Sequence, residues 1–228
     1  MKKLLLLHLL LAMFLGAQTV KASVVLNATN FPDATFRSYI SQQTGVSVGS
    51  TISDAKLATI KWIIVQEMGI SSLQGIEYFT ELTSLVCNNN NLTLLDVSKN
   101  TKLIELVCSA NQLTLLDVSK NTNLTNLNCA TNQLTSLDVS LNSKLTFLQC
   151  SYNSLTSLDV SKNTNLTHLY CSYNSLTSLD VSKNTELTYL ECVSNQFTSL
   201  DVSKNTELSS LNCAWNQLTS LDVSKTRC

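Results

Sequence analysis

Leu166-Thr-His-Leu-Tyr-Cys171-Ser-Tyr-Asn174-Ser-Leu176-Thr-Ser-Leu179-Asp180-Val-Ser-Lys-Asn184-Thr-Glu186 is one unit of a repeat, and its cysteine exposes the period. Cys87, Cys108, Cys129, Cys150, Cys171, Cys192 and Cys213 stand 21 residues apart without a slip. Seven such units run from Leu82 to Cys228. Side chains alternate across a strand, so Leu169 and Cys171 point to one side while His168 and Tyr170 point to the other. A single unit cannot bury its apolar edge, whereas stacked units make one continuous core with a parallel sheet along it. Seven strands about 4.8 Å apart predict a stack of roughly 30 Å.

Two columns inside this period have structural roles. Asn90, Asn111, Asn132, Asn153, Asn174, Asn195 and Asn216 fall where the chain turns inward after each strand and leaves backbone groups unpaired, which a buried amide can satisfy. The cysteines point side by side into the core, a geometry that fits the near-perpendicular torsion of a disulfide poorly. Free buried thiols acting as small hydrophobes are the expectation. Only Cys228 lies outside the column and is expected to be accessible. A third column, Asp96, Asp117, Asp138, Asp159, Asp180, Asp201 and Asp222, precedes Val-Ser and is expected to cap a tight turn on the opposite edge.

The unit L-x-x-L-x-C-x-x-N-x-L resembles the leucine-rich repeat, with cysteine in the third apolar slot. Residues 23–59 lack the period. Asn30-Phe31-Pro32-Asp33-Ala-Thr-Phe36-Arg-Ser-Tyr39-Ile40 predicts a helix, and Ser53 to Lys56 a second short one. Residues 60–81, with Ile60-Lys-Trp-Ile63-Ile-Val65, Ile70 and Leu73, are a degenerate first coil leading into the regular units at 82–228. A helical cap before regular repeats is similar to the internalin family, and Gly69-Ile70-Ser-Ser-Leu73-Gln-Gly75-Ile76-Glu-Tyr78-Phe79 is similar to its first-coil signature. The cysteines further resemble those in surface repeat proteins of Bacteroidetes. The resemblance implies an α/β repeat solenoid, a leucine-rich-repeat horseshoe with its parallel sheet on the concave face, and a surface or secreted adhesin without catalytic activity. Relatives can carry an acidic calcium loop in the cap, but Thr44 to Ile52 contains no carboxylate, so no metal is expected there.

The chain has 228 residues, 44% of them hydrophobic, which excludes a solvated, disordered protein. Lys2 and Lys3, an apolar run from Leu4 to Leu15 and Val20-Lys21-Ala22 form a signal peptide over residues 1–22. Its removal takes three of the 15 basic residues and leaves 12 against 16 acidic ones, a net charge of -4. Such a surface offers no footprint for nucleic acid. No later run is long and apolar enough to span a membrane, so export to the cell surface or the medium is expected. The last unit, which ends at Lys225-Thr-Arg-Cys228, lacks a capping element, and its open coil predicts self-association.

Function is sought on the outward strand positions, where packing demands nothing. Phe147, Tyr152, Tyr170, Tyr173, Tyr189 and Trp215 occupy outward strand or strand-end slots, while Phe197 takes a core leucine slot. With Gln149, His168 and Glu191 they predict an aromatic patch for a protein or glycan on a host or neighbouring cell. An architectural spacer, or a repeat fragment with no ligand, is the alternative. Catalysis is not expected: His168 and Cys171 are three apart on a strand and so face opposite ways. His168 is also the only histidine beyond the signal, which leaves no multi-histidine metal site. No cofactor is implied.

Overall fold

The computed structural model describes residues 23–228; the signal peptide expected at 1–22 lies outside the described residues. The chain opens with a small antiparallel pair, β1 (Val24–Val25) with β2 (Thr51–Ile52), which brackets helix α1 (Ala34–Thr44). Asp33 caps this helix by accepting from the N–H groups of Thr35 and Phe36 through Oδ1. Its other carboxylate oxygen accepts from the N–H and hydroxyl of Ser71, tying the helix to the first coil. Gly45, in the left-handed conformation at φ 68°, ends the helix. Ser53 then caps a single helical turn, α2 (Asp54–Leu57). The sequence placed this turn one residue early because the cap was counted as part of it.

Eight strands follow in one parallel sheet: β3 (Trp62–Ile64), β4 (Ser84–Val86), β5 (Glu105–Val107), β6 (Asn126–Asn128), β7 (Phe147–Gln149), β8 (His168–Tyr170), β9 (Tyr189–Glu191) and β10 (Ser210–Asn212). Spatial order follows chain order, as a solenoid requires. The sheet has one strand more than the regular units supply, since the degenerate coil contributes β3. Its Trp62 pairs with Ser84, 22 residues on, and every later pair is offset by 21. The outward side of the sheet thus spans about 34 Å.

Inside, one apolar cluster runs from Val24 to Leu208. Each turn adds its leucines, a valine and a thiol; Leu166, Leu169, Cys171, Leu176 and Val181 all have no exposed surface. Phe31, Phe36 and Ile40 close the cluster at the helical end and are equally buried. Phe197 fills a leucine slot with no exposed surface. At the other end burial falls away: β10 lies on the open edge, Cys213 is half-buried, and Leu221 and Val223 are exposed. There the Arg227 N–H donates to the Leu208 carbonyl at 2.8 Å, and its guanidinium pairs with Glu207 at 2.8 Å.

Candidate functional site

Two asparagine ladders hold the turns in register. Asn153 Nδ2 donates to the carbonyls of Cys129 and Cys150, both at 3.1 Å, and its Oδ1 accepts the Leu134 N–H at 3.0 Å. One side chain thereby joins its own turn to the one before it. Asn90, Asn111, Asn132, Asn174, Asn195 and Asn216 repeat the pattern. A second ladder went unread in the sequence: Asn100, Asn121, Asn142, Asn163, Asn184 and Asn205 have no exposed surface. Asn163 Nδ2 donates to the carbonyls of Val139 and Asn142, both at 2.9 Å, while its Oδ1 has no partner among the described residues. The signal for this ladder was the Asn that closes six successive Val-Ser-x-Asn turns, hidden by its polar neighbours.

The thiols run along the core between these ladders. Cys87, Cys108, Cys129, Cys150, Cys171 and Cys192 are free and buried, and Cys228 is exposed. Burial in an apolar environment pushes Cys87 and Cys129 up to about 12, so they stay protonated and unreactive. On the opposite edge, each Asp of the third column accepts from the N–H two residues on, as Asp180 does from Ser182 at 2.8 Å. The backbone hydrogen bond from Ser182 is the main reason its carboxyl lies below the usual range.

The outward side of the sheet carries the candidate site. Phe147, His168 and Tyr189 are cross-strand neighbours, and Gln149, Tyr170 and Glu191 form the adjacent column. Phe147 and Tyr170 have ring centroids 5.4 Å apart, and Tyr170 and Tyr189 4.9 Å. His168 lies between them, 6.2 Å from Phe147 and 6.0 Å from Tyr189. All four rings are half-buried. Glu191 accepts from the hydroxyl of buried Ser172 at 3.2 Å and from the Tyr189 hydroxyl at 3.4 Å. Gln149 turns away from this role: its Oε1 accepts the Ser151 N–H at 3.0 Å.

Tyr152 and Tyr173 lie not on the strands but in the turn after each cysteine, in left-handed backbone at φ 57° and 54°. Their rings stack at 4.3 Å and 10°. Glu191 is near enough to both groups to help raise the pKa of Tyr152 and Tyr170, after burial and neighbouring tyrosines. Trp215 occupies the same left-handed position two turns later and is 81% exposed, but Ser194 stands between it and Tyr173. The structure brings Phe147, His168, Tyr170, Tyr189 and Glu191 together, sets Tyr152 and Tyr173 beside them as a pair, and leaves Trp215 apart. It adds a second outward patch that the sequence did not single out: Trp62 and Ile64 of β3 are 61% and 49% exposed, and Ile64 leads a column with Val86 and Val107. The alternation used for the regular units would have found them had it been applied to Trp62-Ile63-Ile64.

The chemistry is that of a surface. His168 is half-buried on the outward side while Cys171 is wholly buried on the other. Among the described residues no cluster of His, Cys, Asp or Glu could hold a metal ion, and no helix is long and apolar enough to cross a membrane.

A solved functional domain of InlJ from Listeria monocytogenes, which includes a cysteine ladder, matches 90% of this chain at 40% identity with a TM-score of 0.73. The chain is an internalin-like leucine-rich-repeat protein. It spans 50% of that solved chain. Internalin J of the same organism is 47% identical over 71 residues, which is 31% of this chain and 8% of that protein. Internalin C2, also from Listeria monocytogenes, shares the fold at a TM-score of 0.80 and 24% identity, over 89% of this chain and 92% of its own. No protein-family model matches the chain.

Proposed function

We propose that this chain is a non-enzymatic binding module, exported to the cell surface or the medium, which engages a macromolecular partner through the outward face of its sheet. The observation that carries this is the ladder of Phe147, His168, Tyr170 and Tyr189. Its four rings stand on consecutive strands where the core makes no demand, and each stays partly open to solvent. Aromatic clusters of this kind are enriched at interfaces. The likeness to internalins supports a protein-binding or adhesive role, and the apolar run at Leu4–Leu15 supports export.

Screening the chain from Ser23 onward against arrays of extracellular proteins and glycans tests the proposal, with a Tyr170→Ala, Tyr189→Ala double variant beside it. Binding should weaken in the variant while the melting curve stays nearly in place, because both side chains lie outside the core. A partner that binds the double variant as well as wild type removes this face as the binding site.

A further inference from the structure

Basic side chains are missing from the outward strand positions of this solenoid. Across the 16 outward positions of β3 to β10 the charged residues are Glu105 and Glu191, and no lysine or arginine occurs there. Glu67 adds a third carboxylate in the left-handed column, which also lacks a basic residue. The lysines of the repeats, such as Lys162, Lys183 and Lys204, follow the aspartates on the opposite edge. Glu191 has no cationic partner within 4.0 Å among the described residues; the ion pairs found there are Lys61 and Lys102 with Glu81, and Arg227 with Glu207.

The aromatic ladder ends beside this carboxylate. Tyr189 packs against Tyr170 and His168 on one side. Its cross-strand neighbour on the other is Ser210, too short to cover a ring. One face of Tyr189 is therefore open, next to a carboxylate fixed by the Ser172 and Tyr189 hydroxyls. The larger concavities lie elsewhere, such as the one of about 520 Å³ lined by Ser71, Leu73, Leu94 and Asp96. What Tyr189 and Glu191 offer is a flat platform with a carboxylate at its edge.

We infer that the outward face of the sheet binds a basic polypeptide segment, with an arginine guanidinium stacked on the open face of Tyr189 and paired to Glu191. This rests on the outward face being the binding surface. A guanidinium is planar, stacks on aromatic rings and donates two parallel hydrogen bonds to a carboxylate, which matches a flat ring beside a fixed acid better than the compact ammonium of lysine does. Glu105, Glu191 and Glu67, with no lysine or arginine among them, would draw such a segment in and set its orientation. A neutral sugar would use these carboxylates only as hydrogen-bond acceptors, whereas a guanidinium also matches their charge.

The probe is acetyl-Gly-Arg-Gly-Arg-Gly-amide, titrated at low salt into the chain from Ser23 onward and followed by NMR at the Tyr189 ring and the Glu191 side chain. Lysine and citrulline counterparts run in parallel. The arginine peptide should bind at least about fivefold more tightly than the citrulline peptide, which keeps the shape and loses the charge. Glu191→Gln should remove that preference. Ser210→Tyr, which covers the open ring face at a position where other strands already carry aromatics, should abolish the shifts at Tyr189. Equal binding of arginine and citrulline peptides, no shift at Tyr189, or full binding by Glu191→Gln overturns the inference. A glycan or acidic protein captured by wild type, lost in the double tyrosine variant and indifferent to Glu191→Gln also overturns it, while leaving the broader proposal standing. A partner indifferent to the double tyrosine variant defeats both.

Discussion

Alkaline solution should unfold this protein abruptly, because its core is lined with thiols that cannot ionise in place. Cys87, Cys108, Cys129, Cys150, Cys171 and Cys192 have no exposed surface. Burial pushes the thiols of Cys87 and Cys129 up to about 12. In an unfolded chain cysteine ionises at about 8.5. Below that pH both states hold the proton, and the thiols contribute no pH dependence. From about 8.5 to about 12 the unfolded chain releases protons that the folded core retains, so stability falls as pH rises. One thiol gives a slope of about 1.4 kcal/mol per pH unit, and six melting together give about 8 kcal/mol per pH unit. A domain stability of about 5–15 kcal/mol would then be exhausted within about one to two pH units past that point. Because each turn brings one thiol, the slope also counts how many turns unfold as a unit. Urea unfolding followed by circular dichroism, at roughly half-unit steps from about pH 7 to about pH 11 with a reductant present, measures it. A Cys129→Ala, Cys150→Ala, Cys171→Ala chain should show a slope smaller by about 4 kcal/mol per pH unit; tyrosine ionisation is common to both chains and cancels in that difference. Equal slopes would refute the assignment of these thiols to a protonated core.

Other consequences are sharper locally. Asn153→Ala leaves the Leu134 N–H without its partner and takes one of two amide donors from each of the Cys129 and Cys150 carbonyls, which keep Asn132 and Asn174, and should cost about 1–3 kcal/mol; coincident urea midpoints and unchanged hydrogen exchange at Leu134 would show that the ladder carries no weight. Thr131 is β-branched yet held at φ 55°, so Thr131→Gly should stabilise by about 1 kcal/mol, read as a raised melting temperature; a lower one would mean that the threonine side chain matters more than its strain. Gly75 sits at φ 104°, where an added Cβ would lie 2.2 Å from the Phe31 ring and 2.9 Å from the Asn30 carbonyl. Gly75→Ala should therefore lose at least about 2 kcal/mol, and a chain that melts like wild type would contradict this packing. Glu81 is held at about 2 by hydrogen bonds from Lys102 and then Lys61. Its contribution is present above the ordinary carboxylate range and fades as pH falls toward about 2. An NMR titration should place Glu81 there in wild type and higher in Lys102→Met; no difference would discount the pairing.

The solenoid was legible because one residue in each unit is unmistakable and the strands alternate: Leu169 and Cys171 inward, His168 and Tyr170 outward follow from parity alone. The coil at 60–81 was legible as a degenerate repeat, but the outward Trp62 and Ile64 were not singled out, since the offset of 22 to β4 and the lack of cysteine break the pattern that marked the others. Tyr152 and Tyr173 were placed on the correct side for an incomplete reason. Alternation ends at the cysteine, and the next turn adopts left-handed backbone that neither tyrosine nor tryptophan favours intrinsically. Only position, two residues after the cysteine and one before the ladder asparagine, marks it. The division of the aromatic residues into a four-ring ladder, a stacked pair and an isolated Trp215 depends on Ser194 and on ring geometry, which spacing alone does not contain.

Every regular pairing in the sheet has the same offset, and each turn is bracketed to its neighbour by its own two amides. A coil can therefore be excised like a link from a chain. Deleting residues 103–123 would join Lys102 to Leu124 in the same phase and leave the remaining brackets intact. The apolar patch at Trp62 and the rings at Tyr189 would come about 4.8 Å nearer to each other. Copy number then acts as a ruler, and a lineage that gains or loses coils can adjust the reach between two contact points without redesigning either one.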